Sequence, residues 1–158
     1  MSSSGYHSLM DRLSVKDLND LKKQIRQWSI ELNFDELGVC GTDLSQAGSA
    51  LDTWLTRGWH GEMGFMSRDA DKRSQPEKLV SGIYRVISVR MNYFPNQGAR
   101  PVDVLQNPSL GYIARYALGR DYHRLIRRKL QQLADRITES VGPFRYRAFA
   151  DSAPVMEK

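Results

Sequence analysis

The sequence predicts a three-layer α/β domain with a mixed β-sheet covered by helices, and three observations lead there. Apolar residues recur at helical spacing over residues 15–32 and again over 121–140. Val86–Tyr93 (VISVRMNY) is dense in β-branched and aromatic residues, the composition of a strand. The connections among candidate strands near 34–40, 85–93, 111–116 and 144–150 are of both hairpin-like and helical length, which argues against a purely parallel sheet.

Taken in order, Met1–Leu13 reads as a disordered arm, and residues 14–158 as one α/β domain. Ser14 with Asp17 at the third helical position is a variant capping box, and behind it Leu18, Leu21, Ile25, Trp28 and Leu32 form the apolar stripe of a helix. Phe34–Cys40 (FDELGVC) suits a short strand ended by Gly41. Cys40 lacks a basic neighbour or a helix start beside it, so it reads as a buried small hydrophobe rather than a nucleophile. A helix follows over 45–57, with Ala47, Leu51, Trp54 and Leu55 inward, and Gly58-Trp59-His60-Gly61 breaks it. The two methionines and the Phe of Glu62–Arg68 read as core filling, with a cofactor wall as the alternative.

Phe94–Leu110 holds three prolines and reads as a long loop; Gly111–Tyr116 is a strand candidate. Asp121–Ser140 is the longest helix, with Tyr122, Ile126, Leu130, Leu133 and Ile137 as its stripe and Arg120, Arg124 and Arg127 opposite. Gly142-Pro143 stops it, and Phe144–Ala150 alternates as a half-exposed strand. Ser152 then stands as the N-cap of a helix that has room for only one turn, so a partner element is expected to follow.

With 158 residues the chain suits one domain, and no run approaches the ~18 apolar residues of a membrane-spanning helix. The Ser-rich start lacks the apolar core of a secretory signal. One cysteine closes no internal disulfide, zinc site or iron–sulfur cluster, which makes a reducing, cytoplasmic setting the expectation.

Charge is unevenly spread. Residues 1–50 carry a net −2, residues 51–100 a net +3 and residues 101–158 a net +4. Six basic residues between Arg115 and Lys129 stand against one acid, Asp121. Such a block suits a polyanion, although a merely solvated helix face has the same composition.

The run Arg115-Tyr116, then Arg120-Asp121-Tyr122-His123, places hydrogen-bonding groups where the chain turns through Gly119 into a helix. That end is either an anion site or simply capped by Asp121. Asp151 is either an ordinary capping acid or a carboxyl at a strand end, where desolvation would let it hold a proton for donation. His60 and His123 have no second ligand at metal spacing, and no metal site is expected in the chain.

Four segments go further: GWHGEMGFMSR (58–68), RVISVRMNYFP (85–95), GYIARYALGRDYHRLIRRKL (111–130) and FADSAPVMEK (149–158). In this order they resemble the N-terminal part of the epoxyqueuosine reductase family, over residues from about 20 to 158. The resemblance implies an oxidoreductase of queuosine biosynthesis that uses cobalamin and two [4Fe–4S] clusters. It would reduce the epoxide of epoxyqueuosine, at the wobble position of a tRNA anticodon, to queuosine. Asp151 of the DSAPV segment matches the family's proton donor and lies against the corrin, and Arg68 matches a cobalamin-contacting arginine. Arg115, Tyr116, Arg120, Asp121, Tyr122, His123, Arg124 and Arg127 fall in a run near the substrate crevice. A monomer that binds tRNA and no membrane is the matching expectation. The family continues into a ferredoxin-like segment that carries the cluster cysteines, whereas this chain has Cys40 alone. A non-catalytic module for the anticodon stem-loop, or a cobalamin-binding domain without redox activity, stays open beside the enzyme.

Overall fold

A small shared core gathers the first and last helices around a pair of strands. The computed structural model describes residues 15–94, 98–150 and 153–156. The arm 1–13, the cap Ser14, and the residues Asp151 and Ser152 lie outside the described residues.

In chain order the structure runs α1 (Val15–Glu31), β1 (Glu36–Cys40), α2 (Ser45–Thr56), α3 (Gly64–Arg68), α4 (Ala70–Ser74), a 3-10 turn (Pro76–Lys78), β2 (Val86–Arg90), α5 (Pro101–Gln106), a second 3-10 turn (Arg115–Ala117) and α6 (Tyr122–Val141). Ile25 of α1, Leu37 of β1, and Leu133 and Ile137 of α6 form the buried centre. Leu21, Trp28, Leu32, Ile87, Val89, Val141 and Phe144 pack around it. The helical periodicity therefore places Leu21, Ile25, Trp28 and Leu32 of α1 and Leu133 and Ile137 of α6 on one core, whereas Leu18 at the start of the first stripe is exposed. Ser29, only 1% exposed, is tolerated in this contact because its hydroxyl donates to the carbonyl of Arg26 at 2.7 Å. Asn33 ends α1 with a positive φ of 60°, a conformation its short polar side chain accepts more readily than most.

The strands β1 and β2 pair antiparallel, with Glu36 opposite Arg90 and Cys40 opposite Val86. Among the described residues this two-stranded sheet is the whole of the strand structure. The fold is thus mixed helix and strand, but the four strands expected from the sequence reduce to two. Residues 111–116 form no strand; they lead into the turn Arg115–Ala117, and Tyr112 and Ile113 are exposed. Residues 144–150 lie in no strand either. Composition supplied the β-branched and aromatic side chains for both segments. A strand also needs a ladder partner for its backbone groups, and neither segment has one here.

Burial differs from expectation at three other places. Cys40 is exposed rather than buried, because only Leu37 of β1 faces the core. Met63 and Phe65 are 43% and 49% exposed, so they do not fill a core. Helix α5 interrupts the region read as loop, with Pro101 at its first turn, where the missing N–H costs no hydrogen bond. Among the described residues no helix is long and apolar enough to cross a membrane.

Candidate functional site

Two surfaces hold the described residues singled out by sequence. One is the approach to α6. Gly119 adopts a φ of 106°, open to glycine and strained for other residues, and this turn delivers the chain to Asp121. Asp121 caps the helix: its Oδ1 accepts from the backbone N–H of His123 at 3.0 Å. The same oxygen lies 2.9 Å from Nδ1 of His123, and since a carboxylate only accepts, Nδ1 carries the proton. The hydrogen bond from the His123 side chain is the main reason that the Asp121 carboxyl lies below the usual aspartate range; the bond from the backbone N–H adds to it. Of the two readings of this helix end, the structure shows the cap. A carboxylate already stands at the helix end where an anion would otherwise bind.

The arginines divide differently from the sequence expectation. Arg120 precedes α6, so helical spacing does not set its direction. Arg124, Arg127 and Arg128 are exposed within α6. Their spacing of three and four residues puts these three on one side of the helix. Arg115 has another task. Its Nη2 donates to the carbonyl of Ala99 at 3.1 Å, and its guanidinium carbon lies 4.2 Å from the centre of the Phe94 ring. Tyr116 meets Tyr122 edge-on at 6.5 Å between ring centres, and Tyr122 stacks on His123 at 4.1 Å. Phe94 is a member of this surface that sequence reasoning missed. The available signal was an aromatic residue directly after the strand-forming run, ahead of Pro95.

The second surface lies around α3. Arg68 ends this helix and is exposed, with Met63 and Phe65 exposed just before it in the chain. Arg73 of α4 places its guanidinium carbon 5.9 Å from the Phe65 ring, and Arg57 stands 4.7 Å from the ring of Trp59. Flat apolar groups and cations therefore alternate over a short stretch of surface. His60 packs on Trp54 with ring centres 5.8 Å apart, and its Nδ1 is buried without a hydrogen-bond partner.

Fold and sites together define a basic domain of helices and a small sheet, with arginines and aromatic rings gathered on its surface. A family profile described as "Epoxyqueuosine reductase QueG, DUF1730" matches residues 73–152, and the chain belongs to that family. Three relatives named epoxyqueuosine reductase, an oxidoreductase, are similar to it. The one from Pseudomonas aeruginosa is 50% identical over 95% of this chain and 41% of its own length. Those from Vibrio cholerae and Escherichia coli are 48% and 46% identical, each over 90% of this chain and 38% and 37% of their own lengths. The chain thus spans about two fifths of the curated relatives it matches. No solved structure matches it.

Proposed function

We propose that this chain is the N-terminal part of an epoxyqueuosine reductase, a cytoplasmic monomer that acts on tRNA. The family match over residues 73–152 is the observation that carries the reading. The reaction converts an epoxide to an alkene and water, and takes up two electrons and two protons. Cobalamin, reduced through two [4Fe–4S] clusters, supplies the electrons when bound. The single cysteine, Cys40, means that the cluster thiolates come from outside these 158 residues.

The residues around α3 fit the chemistry of that cofactor. Exposed Met63 and Phe65 are the side chains that take a large flat macrocycle, and Arg68 suits the phosphate of its nucleotide tail. Their exposure also favours the cofactor-wall alternative over core filling. Asp151 is the proton donor in this reading, delivering a proton to the epoxide oxygen as its C–O bond breaks. That task requires a covered aspartate, because an exposed one is ionised at neutral pH. The run Arg115–His123 faces the tRNA, and Arg120, Arg124 and Arg127 supply the phosphate contacts.

The larger three-layer sheet belongs to the same proposal. Exposed Tyr112 and Ile113, and the segment 144–150, would gain strand partners in the full-length protein.

The test is turnover by the full-length protein, supplied with cobalamin and reductant, on tRNA containing epoxyqueuosine. Nucleoside mass spectrometry reads the loss of one oxygen. The Asp151→Asn variant should keep cobalamin bound, by its visible spectrum, while turnover falls by about 10²-fold or more. No queuosine from the wild-type protein would remove the reading. Near-normal turnover in the Asn variant would pass the proton to another group.

A further inference from the structure

The aromatic groups ahead of α6 form two short stacks that meet at Arg115-Tyr116. In one, the Arg115 guanidinium lies over Phe94 at 4.2 Å. In the other, Tyr116 meets Tyr122 edge-on and Tyr122 lies on His123. Each stack is tied by a hydrogen bond at one of its members. Arg115 donates to the carbonyl of Ala99 at 3.1 Å, and His123 is held by Asp121 at 2.9 Å. Despite these ties, Phe94 is 54% and Tyr116 58% exposed.

Rings that are fixed in place yet open to solvent have already lost the side-chain freedom that binding would otherwise cost. Their neighbours are cationic: Arg120 and Arg124 are exposed on either side of Asp121, whose own carboxylate is spent on the helix cap. A purely apolar docking partner gains nothing from that charge. A strand of unpaired bases uses both features, since each base offers a flat π-face and each linkage a phosphate.

We propose that Phe94 and Tyr116 are a preorganised stacking platform for unpaired bases of a single-stranded RNA segment, with Arg120 and Arg124 holding the adjoining phosphates. Arg115 and His123 act as positioning residues, each fixing a ring rather than touching phosphate. The proposal deepens the tRNA reading above and rests on it for the source of the RNA.

The experiment measures binding of the full-length protein to two labelled RNAs by fluorescence anisotropy. One is a hairpin with an unpaired loop; the other is a blunt duplex of the same stem. Phe94→Ala and Tyr116→Ala should each weaken hairpin binding by about 5- to 150-fold, the range for loss of one stacked base. Duplex binding and the salt dependence should stay unchanged, and Tyr116→Phe, which keeps the ring, should bind the hairpin as wild type does. Arg124→Ala should weaken both RNAs and lower the salt slope by about one unit.

Unchanged hairpin affinity in both Ala variants overturns the platform. So does equal loss on hairpin and duplex, or a change in oligomeric state or thermal midpoint without loss of hairpin binding, which would make these rings a protein-docking face. Wild-type protein that discriminates hairpin from duplex but makes no queuosine would sink the enzymatic reading and leave the platform standing.

Discussion

Lys129 of α6 donates from its ammonium to the carbonyl oxygen of Leu32 at 2.7 Å, closing the C-terminal end of α1 from the flank of another helix. The last carbonyls of a helix lack partners of their own, and a cation there also meets the negative end of the helix dipole. The same ammonium lies 5.8 Å from the centre of the Phe34 ring. One residue earlier, at the last position of α1, Glu31 accepts from Arg136 at 2.5 Å. Two side chains of α6 therefore fix the end of α1 in register.

Lys129→Met keeps most of the apolar stem and removes the donor. Stability should fall by about 1.5–3 kcal/mol, the range for a hydrogen bond from a charged group. Urea denaturation measures it, and Lys129→Arg should recover much of the loss. An unshifted midpoint would mean that water satisfies the Leu32 carbonyl equally well.

Leu133 is 3% exposed at the centre of the core, whereas Leu125 on the same helix is 37% exposed. Leu133→Ala should destabilise by about 2–5 kcal/mol and Leu125→Ala by less than about 1 kcal/mol. Comparable losses at the two positions would mean that α6 is seated on a different face.

Asp121 gives a pH prediction. Its folded carboxyl is more acidic than in the unfolded chain, owing first to the hydrogen bond from the His123 side chain. Between the two values the unfolded state binds more protons, so stability rises with pH there. The contribution is complete above the unfolded aspartate value and is lost as pH falls through the folded one. Asp121→Asn keeps a capping side chain but does not titrate, so its urea midpoint should depend less steeply on pH in the acid range. Parallel curves for the two proteins would exclude Asp121 as a source of acid sensitivity.

Arg120 ahead of α6, and Arg124, Arg127 and Arg128 within it, are exposed. In the full-length protein, replacing any one that meets a phosphate should weaken tRNA binding without altering sequence preference, and lower the salt slope by about one unit. If the quadruple Ala variant retains wild-type affinity and salt dependence, the basic face serves solubility alone.

What was legible in the sequence follows from the range over which each feature is determined. The long helices announce themselves through Ile25 and Trp28, or Leu133 and Ile137, because helical spacing is local. The Asp121 cap was legible for the same reason. Proline opens helices as well as punctuating loops, so Pro101 alone does not distinguish α5 from loop. Strand formation at Tyr112-Ile113 depends on a partner that local composition cannot supply. The exposure of Cys40, Met63 and Phe65 likewise depends on what packs against them. The seat of Arg115 on Phe94 joins residues 21 positions apart, and no spacing rule reaches that far.

The pairing of Cys40 with Val86 and of Glu36 with Arg90 also sets an order of events during synthesis. A ribosome delivers residues from the N-terminus onward, so β1 emerges well before any of β2 exists. Through that interval its backbone groups face water, or the wrong neighbour. The core around Ile25 waits longer still, because Leu133 and Ile137 follow β2 in the chain. Helix α1 can form from its own residues in that interval, whereas the sheet waits for β2 and the common interior for α6.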